Sequence, residues 1–212
     1  MGRLGFLAEV RPGELMACLP NVLAGKYRLE ERTMLVAEIP VWGVKYDALN
    51  DVVVGRQTVS RPIYVEVAVD GSRLAIHRCD AMIVASATGS TAYSLSAGGP
   101  ILHPESRDLV LTSVSPHIAA ARPLVLPPDS TVELTVSADK DAVVSIDGQV
   151  DTPLSSGDTV CIRRSPHTAR FVRFSTPEDY YGMLAERLGW LRILRSTDNP
   201  ELFDLNGMRT AK

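Results

Sequence analysis

From residue 32 to residue 174 the chain is cut into short β-branched segments of alternating character separated by turn residues, and no other feature constrains its fold as strongly. Alternation with a period of two places every second side chain on the same face of a sheet, so one face can be buried while the other meets water. Val65, Val67 and Val69 set this rhythm, Asp70-Gly71 supplies the positive φ angles of a tight hairpin turn, and Leu74 to Ile76 returns. Val132, Leu134 and Val136 alternate with Thr131, Glu133 and Thr135; Ala142 to Ile146 follows the polar stretch Asp139-Lys140-Asp141, and Arg170 to Phe174 keeps the same period. Several short strands at spacings of roughly 8 to 12 residues predict a sandwich or barrel rather than a doubly wound sheet.

The flanks read differently. Residues 14–24 place Leu15, Leu19, Val22 and Leu23 on one helical face between Gly13 and Gly25, although Pro20 removes an interior hydrogen bond. Near the end, Thr176-Pro177-Glu178-Asp179 combines an N-cap, a proline at the first helical position and an acid at the third, which predicts a helix carrying Tyr181, Leu184, Leu188 and Leu191 on one face. Residues 196–212 are polar and predict a frayed tail.

Composition narrows the class. A chain of 212 residues can bury one substantial core and hold at most one full domain with part of another. With 45% hydrophobic and 22% charged residues and a mean hydropathy of +0.06, it reads as a folding, globular protein. A net charge of −3 gives no basic field for a nucleic-acid backbone. Cys18, Cys79 and Cys161 are odd in number and widely spaced, which argues against a disulfide framework or a zinc site and fits a reducing cytoplasm. No run approaches the ~20 apolar residues of a membrane span, and the N-terminus lacks the pattern of a signal peptide.

The chemistry concentrates between residues 80 and 100. Met82-Ile83-Val84-Ala85 is a short apolar strand running into Ser86-Ala87-Thr88-Gly89-Ser90-Thr91-Ala92-Tyr93. A strand ending in a loop of small and hydroxyl residues, followed by a helix start, leaves backbone N–H groups available to an anion or a nucleotide edge. In this reading Gly89 lets backbone approach a ligand, Ser90 and Thr91 donate hydrogen bonds, Tyr93 offers a flat ring with a polar tip, and Gly98-Gly99 allows a second close approach. The same residues also read as a Ser/Thr-rich turn with an N-cap, and without a Gly-Lys-Ser/Thr triplet the segment is no Walker A loop.

Six blocks in order carry a resemblance: Gly2-Arg3-Leu4-Gly5-Phe6-Leu7; Leu49-Asn50-Asp51-Val52-Val53; residues 80–100 with Thr-Gly-Ser-Thr-Ala-Tyr-Ser-Leu-Ser-Ala-Gly-Gly-Pro; Ser115-Pro116-His117 with Arg122-Pro123-Leu124-Val125; Ile146-Asp147-Gly148-Gln149; and, more weakly, Leu188-Gly189-Trp190. Together they resemble the NAD kinase family across nearly the whole chain. The resemblance implies a mainly β fold, α+β overall: the β-sandwich-like C-terminal domain of that family, with flanking helices left from an incomplete α/β N-terminal domain. The layout it implies is a remnant of the N-terminal domain over 1–25, a β-rich NAD-binding domain over 26–175, and a C-terminal helix and tail over 176–212 that returns to the N-terminal domain.

The family activity is transfer of phosphate from ATP, or sometimes polyphosphate, to the 2′-hydroxyl of the adenosine ribose of NAD, giving NADP, with a divalent metal (Mg) accompanying ATP and no tightly bound cofactor. By resemblance Asn50 contacts the adenine side, and Asp51 stands where the family usually has glutamate, one carbon shorter. Thr88, Thr91, Ala92, Tyr93 and Ser96 line the dinucleotide pocket, with Gln149 beside it. Asp80 resembles an aspartate that reaches the nicotinamide end from a neighbouring subunit, which implies a homo-oligomer, dimer or tetramer. Arg78 either holds a phosphate or sits on a solvated strand face. Ala81 and Ala87 replace the more usual glycine and proline.

Each residue also has a structural reading: Asn50-Asp51 as a strand-entry turn, Asp147-Gly148 as a hairpin turn, His117 as a structural histidine, and Cys79 as a buried small residue. His77, His103 and His167 show no metal-ligand spacing. The family's Gly-Gly-Asp-Gly motif, which supplies the catalytic aspartate, does not occur in the sequence. The expectation is therefore that the 212-residue chain alone has little kinase activity. The alternatives are a non-catalytic NAD(P)-binding or assembly module and, less favoured, a relative of the lipid kinases.

Overall fold

The computed structural model of the chain describes residues 7–57, 62–116, 121–137 and 142–190. Two compact units emerge, one made of Leu29–Phe171 and the other of Met1–Arg28 with Val172–Lys212.

The larger unit is a sandwich of two six-stranded antiparallel sheets. One sheet has the order β2 (Val44–Ala48), β1 (Arg28–Ile39), β12 (Thr159–Arg173), β9 (Val132–Val136), β4 (Ile63–Val69) and β5 (Ser72–Cys79). The other runs β11 (Val150–Leu154), β10 (Ala142–Ile146), β3 (Asp51–Arg56), β6 (Ala81–Ala85), β7 (Leu109–Val114) and β8 (Leu124–Leu126). The sandwich expected from the alternation is therefore what forms. Its core takes alternate residues from both sheets: Val65 and Val67 of β4 and Val132, Leu134 and Val136 of β9 meet Val52 and Val54 of β3 and Val144 and Ile146 of β10. Burying one such aliphatic side chain is worth about 1.5–3 kcal/mol, so the two-residue period is itself the main fold-determining signal.

The hairpin predicted at Asp70-Gly71 is present, with Val69 opposite Ser72 and φ values of 52° and 74° at the two turn residues. The same chemistry recurs at Asp147 and Gly148, with φ values of 52° and 63°, between β10 and β11. The strand expected over Arg170 to Phe174 is the end of a longer one, β12, which starts at Thr159 and stops at Arg173. Its middle was hidden because the run from Arg163 to Arg170 is polar and mostly exposed, so only Val160 and Ile162 mark the core face.

Among the described residues, β6 differs from every other strand in being buried along its whole length. Met82 and Val84 enter the shared core, while Ile83 and Ala85 pack with Val110 on the opposite face against Val53, Ala97 and Leu102. A continuous apolar run is what a strand covered on both faces requires.

In the smaller unit, helix α1 (Leu15–Leu23) follows a 3₁₀ turn at Pro12–Glu14, close to the span expected, with Pro20 inside it. None of its side chains is buried, and Leu23 of the expected apolar face is 81% exposed. A later helix, α3 (Tyr180–Arg187), is entered through the predicted cap: the Thr176 N–H and hydroxyl both donate to the Asp179 carboxylate, at 2.9 and 3.0 Å. Of its expected face, Leu184 is buried but Tyr181 is exposed. The helix stops because Gly189 takes a left-handed φ of 74° just beyond it. In the same unit Arg173 donates to the Leu7 carbonyl at 2.6 Å and pairs with Glu9, whose carboxylate accepts from the Phe174 N–H and from the Ser175 hydroxyl. The block at residues 2–6, His117, Leu191 and the 196–212 tail lie outside the described residues.

Candidate functional site

β6 ends at Ala85, and the loop that follows is tied at once to the loop entering β3. The Ser86 N–H donates to the Asn50 carbonyl at 2.9 Å and its hydroxyl to the Leu49 carbonyl at 2.6 Å, while Gly89 N–H donates back to that hydroxyl at 3.2 Å. A single 3₁₀ turn, Gly89–Thr91, leads into a four-residue helix, α2 (Tyr93–Ser96). Loop and strand pair are thus one rigid piece: Asp51 lies opposite Ala85 in the ladder, so Asn50, Asp51 and the Thr88-to-Ser96 segment all gather at one end of the second sheet.

Most of the loop's hydroxyls are consumed by the loop itself, which corrects part of the ligand reading. Ser90 is fully buried; its hydroxyl donates to the Ala87 carbonyl at 2.6 Å and accepts from Leu102 N–H at 3.0 Å. Thr91 donates to the Thr88 carbonyl at 3.1 Å. Ser94 and Thr112 share a hydrogen bond of 3.1 Å. The glycines answer to packing as well. A Cβ on Gly89 would sit 2.0 Å from the Asn50 carbonyl oxygen, and one on Gly99 2.3 Å from the Ser94 hydroxyl, so the close approach at both is to the protein's own atoms. What faces outward is Ala92, Tyr93 and Ser96, with Tyr93 45% exposed.

Asp147 is the organising residue that the hairpin reading concealed. Its carboxylate accepts three backbone N–H bonds, from Leu49 at 2.7 Å, Asn50 at 2.7 Å and Asp51 at 3.0 Å, and its own N–H donates to the Asp51 carbonyl at 3.0 Å. Asp-Gly announces a turn in any sequence; nothing local announces where the aspartate's oxygens will go. Gln149 follows on the exposed tip of this hairpin. Asp51 is only 6% exposed, and burial together with the nearby Asp147 charge pushes its carboxyl up to about 6 from 3.8.

Arg78 and Asp80 are not part of this cluster. They stand at the opposite end of β6, a five-residue strand away, or roughly 15 Å at the usual rise. Asp80 pairs there with Arg56 at 3.2 Å, and Arg78 is exposed on the edge strand β5. Cys79 between them is fully buried, and burial pushes its thiol up to about 11, which suits a packing residue rather than a nucleophile. Among the described residues no group of three or more His, Cys, Asp or Glu is gathered to hold a metal, and Asp147 commits both its oxygens to backbone N–H groups. These donors do not fit a metal site. Among the same residues no helix is long and apolar enough to cross a membrane.

On the other side of the loop, Arg32 of β1 reaches Thr88, with Nη1 3.4 Å from the hydroxyl oxygen, while Glu30 holds the same guanidinium at 2.5 and 2.7 Å. Arg32 also lines a polar cavity of about 680 Å³ with Glu105, Arg107, Arg164 and Ser165. No local sequence signal marks Glu30 and Arg32, since two charged residues two apart on a strand have the pattern of a solvated face.

With this geometry in hand, the chain compares clearly with known proteins. Residues 49–174 match the family described as the ATP-NAD kinase C-terminal domain. The NAD kinase of Heliobacterium modesticaldum is 46% identical over 192 residues, covering 89% of this chain and 68% of that protein. That of Burkholderia vietnamiensis is 42% identical, covering 89% and 64%. In structure the chain is similar to yeast NADH kinase complexed with NADH, with a TM-score of 0.83, 25% identity and coverage of 90% of this chain and 58% of that one. It is also similar to an NAD kinase from Archaeoglobus fulgidus in complex with ATP, with a TM-score of 0.75, 26% identity and coverage of 89% and 71%. The chain spans about two thirds of the length of these curated relatives.

Proposed function

Since the chain belongs to the NAD kinase family, we propose that it forms the dinucleotide-binding half of such an enzyme, holding NAD while phosphate from ATP or polyphosphate is transferred to the 2′-hydroxyl of its adenosine ribose. The observation that carries the proposal is the anchoring of the Ser86-to-Tyr93 loop onto Leu49 and Asn50, next to Asp51. A loop fixed by its own hydroxyls and by Gly89 costs little further ordering when a ligand binds, which is what a preorganised site needs.

In this reading Asp51, ionised above pH ~6, accepts hydrogen bonds from a sugar hydroxyl or a base amine. Asn50 presents its amide beside it, its backbone being held by Asp147 and Ser86. Tyr93 offers its exposed ring for stacking, Thr88, Thr91, Ala92 and Ser96 complete the wall, and Gln149 closes the hairpin side. Arg78 and Asp80 stand at the far end of β6, which supports a homo-oligomer in which a second copy supplies them.

Phosphoryl transfer needs an oriented hydroxyl, a group that takes its proton and charge stabilisation around the phosphates. The described residues of this site supply orientation. The Gly-Gly-Asp-Gly block is not among the 212 residues, so the chain by itself is proposed to bind NAD and NADP while phosphorylating poorly. Incubation with NAD, ATP and magnesium separates the two properties. Binding with little NADP formation supports the proposal, and robust NADP formation overturns the low-activity part of it. Heat with a lipid but none with NAD or NADP would move the chain to the lipid-kinase relatives.

A further inference from the structure

Glu30 and Arg32 are a charged pair in a place where charge is costly. They are 6% and 7% exposed, and removing two ions from water is repaid only when geometry and additional hydrogen bonds are good. Along β1 the buried positions are Glu30 and Arg32 at the start and Leu35, Val36, Ala37 and Ile39 further on, with Leu35, Ala37 and Ile39 alternating on the face opposite to that of Glu30, Arg32 and Val36. The apolar set joins the sandwich core, whereas the charged set meets the loop: Arg32 Nη1 lies on Thr88, and the guanidinium carbon stands 5.9 Å from the centre of the Phe171 ring. Glu30 takes Nε and Nη2, which fixes the fork and leaves Nη1 directed at Thr88.

A guanidinium is a donor only, so the Thr88 hydroxyl must accept from it, and its own proton is turned toward something else. We infer that Arg32, oriented by Glu30, is a positioning residue of the dinucleotide site that sets the Thr88 hydroxyl as a donor toward an oxygen acceptor of the ligand, a ribose or phosphate oxygen. The inference rests on the proposed NAD(P) binding and adds a residue from the opposite sheet to the site. It gives the buried pair a role in the loop rather than in the core, and it fixes the polarity of the contact: Thr88 gives a proton to the ligand and does not take one.

The test is calorimetric titration of the whole 212-residue chain with NADP, alongside its thermal melting. Arg32→Met leaves the Glu30 carboxylate buried without the guanidinium beside it, so the informative variant is Glu30→Gln with Arg32→Met, which removes both charges together. It is expected to melt near the parent temperature and to bind NADP about tenfold more weakly, the loss of one oriented hydrogen bond. Thr88→Val, which removes the hydroxyl at nearly constant volume, is expected to lose a similar factor. The combination of all three changes should bind no more weakly than Thr88→Val alone, because Arg32 acts through Thr88. Arg32→Lys, which keeps the charge and loses the fork, should recover only part of the affinity. Parent-like binding by the charge-free variant, or losses that multiply in the combination, would overturn the role given to Arg32 while leaving NADP binding intact. Failure of the unmodified chain to bind NADP overturns the parent reading and this inference with it.

Discussion

Asp51 is held where its neutral form is favoured, because burial and the neighbouring Asp147 charge both raise its carboxyl to about 6. The folded protein therefore binds this proton more tightly than the unfolded chain, whose aspartate titrates near 3.8. The stability Asp51 contributes is full below about pH 4 and is lost as pH rises through 6. Asp51→Asn is accordingly expected to stabilise the fold by roughly 2 kcal/mol at pH 8 and by little at pH 4, measured by urea denaturation. The unmodified chain is expected to lose NADP affinity below pH 6, and the same change should weaken NADP binding at pH 8 and flatten that fall. Gly89→Ala brings a methyl within 2.0 Å of the Asn50 carbonyl oxygen, an atom of rigid backbone. It should cost about 3 kcal/mol or more in chemical denaturation. An unchanged midpoint would mean that the loop does not rest on Asn50.

At the scale of elements, two short connections meet and one hairpin fastens them. Asp147 spans the β10–β11 turn and three consecutive N–H groups of the loop before β3. Asp147→Ala should therefore destabilise the chain by about 3 kcal/mol and lower NADP affinity, although a variant with Gly148 and the turn intact keeps the hairpin. Much of this architecture was legible beforehand. The two-residue period of β4, β9 and β10, the Asp70-Gly71 turn and the cap at Thr176 each follow from local chemistry, and each forms as expected. The fully apolar β6 could be seen as a strand but not as the strand covered on both faces, because periodicity is silent about what lies outside a sheet. The loop was legible as a strand running into a turn and a helix start. The division of labour within it was not: Ser86, Ser90 and Ser94 hold the loop together, and only the three-dimensional partners Leu49, Ala87 and Thr112 reveal that. Glu30 and Arg32 were illegible for the same reason, since Arg32 meets Thr88, 56 residues away.

For the whole molecule, the sandwich supplies a rigid frame whose second sheet presents Asn50, Asp51, the Thr88-to-Ser96 segment and the Gln149 hairpin at one end. Family membership follows from the match over residues 49–174, and the geometry supports a preorganised dinucleotide site within that span. Tyr93, at 45% exposure, separates binding from folding in this frame. Tyr93→Ala should leave the melting temperature nearly unchanged and weaken NADP binding about tenfold, whereas equal losses of both would make the ring a structural element. The measurement that bears most directly on the central claim is titration calorimetry of the purified 212-residue chain with NAD and NADP near pH 8, without ATP or metal. Saturable heat with either dinucleotide, reduced in Tyr93→Ala, is the predicted result; no heat with NAD and none with NADP from a folded chain would contradict it.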